Sequence, residues 1–331
     1  MTPPTDPDPT VVAARPDLGG GAATPARRLP VGAGDGLPGS PAPLAIGSRT
    51  FAWGSRTFVM GILNVTPDSF SGDGLLGTDG TDGTDPVGPA LDRARRMVDE
   101  GADLLDVGGE STRPGHAVVD ERTETDRVIP VVAAIRAALP DVPISVDTTK
   151  AGVAAAALDA GASLVNDIQG VDPDDALLRL AAERAAPIVL MHNRAEPRYA
   201  NLVAEVIADL QAAIDRALRA GVAWEAIVVD PGIGFGKTAE HNLVLLRELA
   251  ALRVLGRPIL LGTSRKSTLG KVLDLPADQR LEATLATTAL GIASGVDIVR
   301  VHDVRENVRA ARMSDAIVRG TGLDGARGGA G

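Results

Sequence analysis

The sequence predicts a (β/α)8 barrel on three observations. Eight short runs are rich in Val, Ile and Leu. Each leads into a segment whose apolar residues recur at helical spacing. Eight such units span about 260 residues, the length of one barrel. A doubly wound open sheet is built from the same units, but their number and total length favour the closed form.

Residues 1–43 are rich in Pro, Gly, Ala and Asp and show no periodicity, which predicts a disordered tail that buries too little apolar surface to order itself. "GSRTF" then occurs at 47–51 and again at 54–58, and two alternating segments this close read as a β-hairpin feeding the first core strand. The barrel strands are expected at 58–63, 103–107, 143–147, 163–166, 187–191, 226–230, 258–262 and 297–301. Helices are expected at 87–100, 121–138, 149–160, 174–185, 201–220, 238–251, 280–294 and 303–318. Gly101, Gly161, Gly221 and Gly295 each follow an apolar-periodic segment, as glycine does where a helix ends in a left-handed residue. One catalytic domain over 44–320 and a flexible tail over 321–331 complete the organisation.

Composition narrows the function. A net charge of -10 argues against nucleic acid or an anionic membrane as a general partner. The absence of cysteine rules out disulfides, thiolate catalysis and sulfur-ligated zinc. No apolar run reaches the ~18 residues of a membrane span, and the first 30 residues lack a signal-peptide core, so a soluble cytoplasmic protein is expected.

In such a barrel the active site lies at the C-terminal ends of the strands. Those ends carry Asn64, Thr112 and Arg113, Asp147, Asn166, His192, Asp230, then Ser264 to Ser267, and finally Arg300 and His302. Any one of the small polar residues could be a helix cap. Polar groups on all eight strands, with three arginines, a lysine and two histidines among them, exceed what capping needs. Thr148 and Thr149 are placed to cap the third helix, which frees Asp147. Asp147, Asn166 and Asp230 follow apolar strands and need hydrogen-bond donors, which the amino-pyrimidinone edge of a flat heterocycle offers. Lys266 could donate to its carbonyl and ring nitrogen. Arg300, His302 and Asn64 form a second cluster suited to a phosphate-bearing leaving group, with Asn64 able to ligate Mg2+ through oxygen.

"GIGFGKT" at 232–238 fits no phosphate loop, because the position a Walker motif gives to glycine is Pro231. The histidines have no zinc spacing, and His116 and His241 read as ordinary loop or surface residues. Glu121 to Asp126 reads as the exposed start of a helix. Gly72 to Asp85 carries aspartates at 79, 82 and 85, the wrong spacing for an EF-hand, and reads as a flexible insertion in the first loop.

Six motifs in order resemble dihydropteroate synthases: "GILNVTPDSFS" (61–71), "ADLLDVGGESTRPG" (102–115), "ISVDTTKAGVAAAALDAGASLVNDIQG" (144–170), "DPGIGFGK" (230–237), "GTSRKS" (262–267) and "RVHDV" (300–304). The resemblance implies a homodimeric barrel that joins 6-hydroxymethyl-7,8-dihydropterin diphosphate to 4-aminobenzoate. It implies that Asp147, Asn166, Asp230 and Lys266 bind the pterin and that Met191 and Phe235 flank it. It assigns Asn64, Arg300 and His302 to the diphosphate and Mg2+. It implies that Phe70, Thr112, Arg113, Pro114 and Ser267 shape the loop region that takes 4-aminobenzoate, the substrate that sulfonamides imitate. Asn193 after "LMH", Thr268-Leu269 after "SRKS" and the Gly-Thr-Asp insertion depart from the usual pattern. A pterin-dependent methyltransferase would share residues of strands three, four and six but would not need "NVTPDSF", "STRPG" and "RVHDV" together. A non-catalytic pterin-binding paralogue is the other alternative.

Overall fold

The computed structural model describes residues 40–66, 87–110, 119–170 and 175–321. Phe70, Thr112, Arg113, Pro114, His116, the Gly72–Asp85 insertion and nearly all of both expected tails lie outside these residues.

β1 (Leu44–Ile46) and β2 (Arg49–Phe51) pair antiparallel with Leu44 opposite Phe51. Gly47, at φ 57°, opens the two-residue turn. The hairpin therefore forms, but not from the two copies of "GSRTF". The second copy turns at residues 53–56 and its Phe58 begins the next strand. Side-chain burial decides this: Leu44, Ile46, Phe51 and Trp53 all point into one core.

Eight parallel strands follow: β3 (Phe58–Asn64), β4 (Leu104–Gly108), β5 (Ile144–Asp147), β6 (Leu164–Asp167), β7 (Ile188–Met191), β8 (Ile227–Asp230), β9 (Leu260–Leu261) and β10 (Ile298–Val301). Their order is β8-β7-β6-β5-β4-β3-β10-β9. A bridge between Val229 and Ile259 closes β8 onto the β9 segment. Around them lie α1 (Val87–Asp99), α2 (Glu121–Ala138), α3 (Ala151–Asp159), α4 (Ala176–Glu183), α5 (Leu202–Ala220), α6 (Ala239–Arg247), α7 (Ser267–Leu273), α8 (Leu281–Ala293) and α9 (Val304–Val318). The helices end where the glycines foretold, Gly101, Gly161, Gly221 and Gly295 having φ of 103°, 113°, 99° and 95°. The short α7 was not anticipated. His241 is a capping residue: its backbone N–H donates to Thr238 Oγ1 (3.2 Å) and its ring accepts from the Thr238 N–H (3.4 Å).

The two-residue period of the strands divides the barrel. One set, including Leu63, Leu105, Val107, Ile144, Val146, Val165, Leu190, Val229 and Val299, packs outward against the helices. The alternate set, Phe58, Met60, Leu104, Leu164, Val189, Val228, Leu260 and Ile298, fills the interior together with the hairpin. Phe51, Trp53 and Phe58 pack together with ring centroids 4.7–5.7 Å apart, Phe51 stacked on Trp53 and Phe58 edge-on to Trp53. Since Phe58 and Ile298 are the first residues of their strands, this aromatic plug seals the N-terminal end. The opposite end is left for chemistry.

Candidate active site

Continuing the inward set upward by steps of two brings six strands' polar or terminal residues into the barrel mouth. Asn64 follows Met60, Asp147 follows Ser145, Asn166 follows Leu164, Met191 follows Val189, Asp230 follows Val228, and Arg300 and His302 follow Ile298. Neighbouring strands then set these groups side by side. Asp147 is opposite Asn166 in register, and Met191 is opposite Asp230.

Asp147, Asn166 and Asp230 are buried, at 9%, 3% and 6% exposure. Asp230 Oδ1 accepts from the Gly232 N–H at 2.7 Å. Asp147 Oδ2 accepts from Arg300 Nη2 at 2.6 Å, while its Oδ1 is buried without a partner. Burial pushes Asp147 up to about 7, helped by the Asp106 charge and opposed by Arg300. Burial also raises Asp230 to about 6, against the Gly232 N–H and Lys266. The Lys266 ammonium lies 3.9 Å from the centroid of the Phe235 ring. Burial and the Arg300 charge bring Lys266 down to about 8, against the pull of Asp230 and Asp147. Two acids whose pKa values are raised and a lysine whose value is lowered are groups placed to exchange hydrogen bonds with a ligand.

Arg300 corrects the two-cluster expectation. Besides Asp147 it contacts Asp106, with Nε 2.5 Å from Oδ2. Two carboxylates sunk in an apolar barrel need a countercharge, and this guanidinium is within reach of both. Asp106 was not foreseen, because only strand ends were considered. It lies mid-strand in β4, fully buried, in the same inward register as Leu104 and Gly108. Its Oδ2 also accepts from Asn166 Nδ2 at 3.0 Å, which fixes the amide so that Asn166 Oδ1 is turned away from Asp106. An acidic residue at an inward position inside an apolar strand is the sequence signal that marks it.

His302 accepts from or donates to Ser264 Oγ through Nδ1 at 2.9 Å, and the same hydroxyl accepts from the His302 N–H at 3.1 Å. Burial, then Arg265 and Arg300, hold its pKa well below the usual histidine range, so the ring is neutral. Arg265, at φ 58°, is tied by Nη2 and Nε to Asp303 at 2.6 and 3.1 Å. That anchor fixes the loop carrying Lys266 and leaves Ser267 exposed as the first residue of α7.

Three other expectations change. His192 follows β7 but does not face the mouth: it is fully buried, with Nε2 3.1 Å from Asp209 and Nδ1 2.8 Å from Lys237 Nζ. Glu124, expected on an exposed helix start, is fully buried against Lys150, which bridges it to Glu110 at 2.6 and 2.5 Å. Neither threonine caps α3; Thr148 Oγ1 accepts from the Lys150 N–H at 3.1 Å in the turn before it.

Donor-seeking oxygens deep in a barrel mouth, with a lysine and an arginine beside them, define a barrel enzyme for a flat, nitrogen-rich ligand. The profile of the family described as pterin binding enzyme matches residues 60–302. A dihydropteroate synthase from Clostridium beijerinckii is 49% identical over 83% of this chain and 100% of its own length. One from Bacillus subtilis is 49% identical over 81% and 91%. Among solved structures, dihydropteroate synthase from Clostridium difficile, crystallised in the presence of pteroic acid, superposes with a TM-score of 0.77 at 50% identity, over 81% of this chain and 99% of that one. The enzyme from Xanthomonas albilineans in complex with 7,8-dihydropteroate gives 0.74 at 39% identity, over 83% and 98%. The chain belongs to the dihydropteroate synthases, a transferase family within the pterin-binding class.

Proposed function

We propose that the barrel mouth joins 6-hydroxymethyl-7,8-dihydropterin diphosphate to 4-aminobenzoate, releasing diphosphate, with Asp147, Asn166, Asp230 and Lys266 holding the pterin. The observation that carries this assignment is the set of unpaired oxygens, Asp106 Oδ1 and Asp147 Oδ1, buried beside a lysine and an arginine. The N–H edge of a pterin supplies the donors they lack. Met191 and Phe235 would bracket the ring, and Phe235 already carries Lys266 on one face.

In the reaction the bond from the pterin methylene to the diphosphate oxygen breaks, and its electron pair leaves with the diphosphate. The cation left behind is delocalised into the electron-rich ring, beside the Asp147 carboxylate. The arylamine nitrogen attacks the methylene and then loses a proton. Arg300 and His302 favour the departing charge, and orientation of the two substrates supplies much of the remaining acceleration. No strong base is required of the protein.

A magnesium ion fits the donor set. Among the described residues no group of three His, Asp or Glu side chains is placed to hold a metal by itself. Mg2+ is commonly held by substrate phosphates, water and one or two protein oxygens, so it asks few ligands of the chain. Asn64, half-buried at the end of β3, is the protein ligand in this reading. When bound, the ion would neutralise charge on the diphosphate.

In this reading Ser267, exposed at the start of α7, is the described member of the 4-aminobenzoate region, and that region would be the sulfonamide target. The crystal form of the Xanthomonas albilineans enzyme with 4-aminobenzoic acid supports the substrate class. A cytoplasmic homodimer completes the reading. Leu290 on α8 and Met313 and Ile317 on α9 are 68%, 62% and 71% exposed, an unusual cost for helices that pack together unless a second copy covers them. No helix among the described residues is long and apolar enough to cross a membrane.

Lys266→Ala tests the site. It should weaken pterin diphosphate binding by about tenfold or more while leaving the circular dichroism spectrum unchanged. Full activity in this variant would remove Lys266, and the loop after β9 with it, from the pterin site.

A further inference from the structure

Lys237 closes the "GFGK" sequence that resembled a phosphate loop, yet its ammonium is committed to the protein. Nζ lies 3.0 Å from the carbonyl oxygens of Gly232 and Phe235, 3.3 Å from that of His192 and 2.8 Å from His192 Nδ1. Asp209 takes the hydrogen on Nε2, which leaves Nδ1 as an acceptor. One ammonium thus bridges four acceptors from two segments, the turn after β7 and the loop after β8.

The glycines show how closely those segments meet. Gly232 and Gly236 have φ of 67° and 55°, and a Cβ on either would collide with the carbonyl oxygen of His192 or Arg194. The same loop supplies the N–H bound to Asp230 and carries Phe235, whose ring supports the Lys266 ammonium. Gly234 completes the wall: a Cβ there would lie 3.1 Å from Lys266 Cδ.

We propose that Lys237 is a positioning residue, which locks the loop after β8 to the turn after β7 and so holds Phe235 and, through it, Lys266 where the pterin binds. This rests on the assignment of Phe235 and Lys266 to the pterin. Lys237 itself touches neither substrate. Burial brings its pKa down to about 7, against the pull of the Asp230 and Asp209 charges.

A double-mutant cycle over Lys237→Met and Phe235→Leu, with KM measured for each substrate, provides the test. Lys237→Met should raise the KM for pterin diphosphate by about tenfold while moving that for 4-aminobenzoate by less than about twofold. In the Phe235→Leu background the same substitution should change the pterin KM by less than about twofold. Additive effects, or an equal rise in both KM values, would overturn the proposal. If Phe235→Leu alone leaves the pterin KM unchanged, the pterin-site assignment fails, and this inference fails with it. Should Lys237→Met not fold, Lys237→Gln, which keeps donors for the carbonyls, replaces it: a normal pterin KM supports donor-mediated bridging, and a KM raised in both backgrounds refutes it.

Discussion

At the scale of single residues, Asp147 and Asp230 are held in a state that only a ligand relieves. Burial raises both, to about 7 and about 6, so the folded protein keeps protons that the unfolded chain gives up near pH 4. The sign follows: these two groups contribute less to stability as pH rises from about 4 through about 7. Donors from a bound pterin favour the charged carboxylates and pull both values down. Pterin binding at about pH 6.5 should therefore release protons, seen as a dependence of the calorimetric enthalpy on the ionisation enthalpy of the buffer. No release, or uptake, would mean that neither carboxylate receives the ring N–H groups. Most of these residues were legible, because a polar residue after an apolar strand has few other reasons to be there. Asp106 was not, since it interrupts a strand rather than ending it, and the path of Arg300 to it depends on contacts across 194 positions of sequence. Asp106→Asn keeps the shape but weakens the anchor for Arg300 and Asn166, and should lower kcat/KM for pterin diphosphate by about tenfold or more.

Elements were easier to read than their partners. Each barrel strand lies within a residue or two of its expected place, since apolar runs bounded by Gly and Pro leave little freedom. The hairpin shows the limit. A repeated "GSRTF" suggested that the copies pair, but pairing is decided by which side chains reach the core, and Leu44, Ile46 and Phe51 outcompete the second copy. The pairing of Lys150 with Glu124 is not legible in the sequence for a similar reason: it joins α2 to the turn before α3, 26 positions apart. The plug formed by the hairpin predicts a separation of stability from activity. Trp53 is 2% exposed and stacks on Phe51. Trp53→Ala should cost about 3–5 kcal/mol in denaturant unfolding. The turnover of the remaining folded molecules should be unchanged, because the plug seals the end opposite the site. A loss of turnover at full folding would show that the two ends of the barrel are coupled.

For the molecule as a whole, the resemblance read from six motifs and the inward register of the strands lead to the same mouth. The exposed apolar residues of α8 and α9 belong to this scale. Sedimentation should give twice the chain mass, and Ile317→Glu with Leu290→Glu should shift it toward one chain. A single-chain mass for the unaltered protein would contradict the dimer without touching the chemistry. The chemistry is tested most directly by turnover. Purified protein given 6-hydroxymethyl-7,8-dihydropterin diphosphate, 4-aminobenzoate and Mg2+ should release diphosphate and form 7,8-dihydropteroate in equal amounts. Tight pterin binding with no diphosphate release above background would contradict the synthase and leave a barrel that only binds.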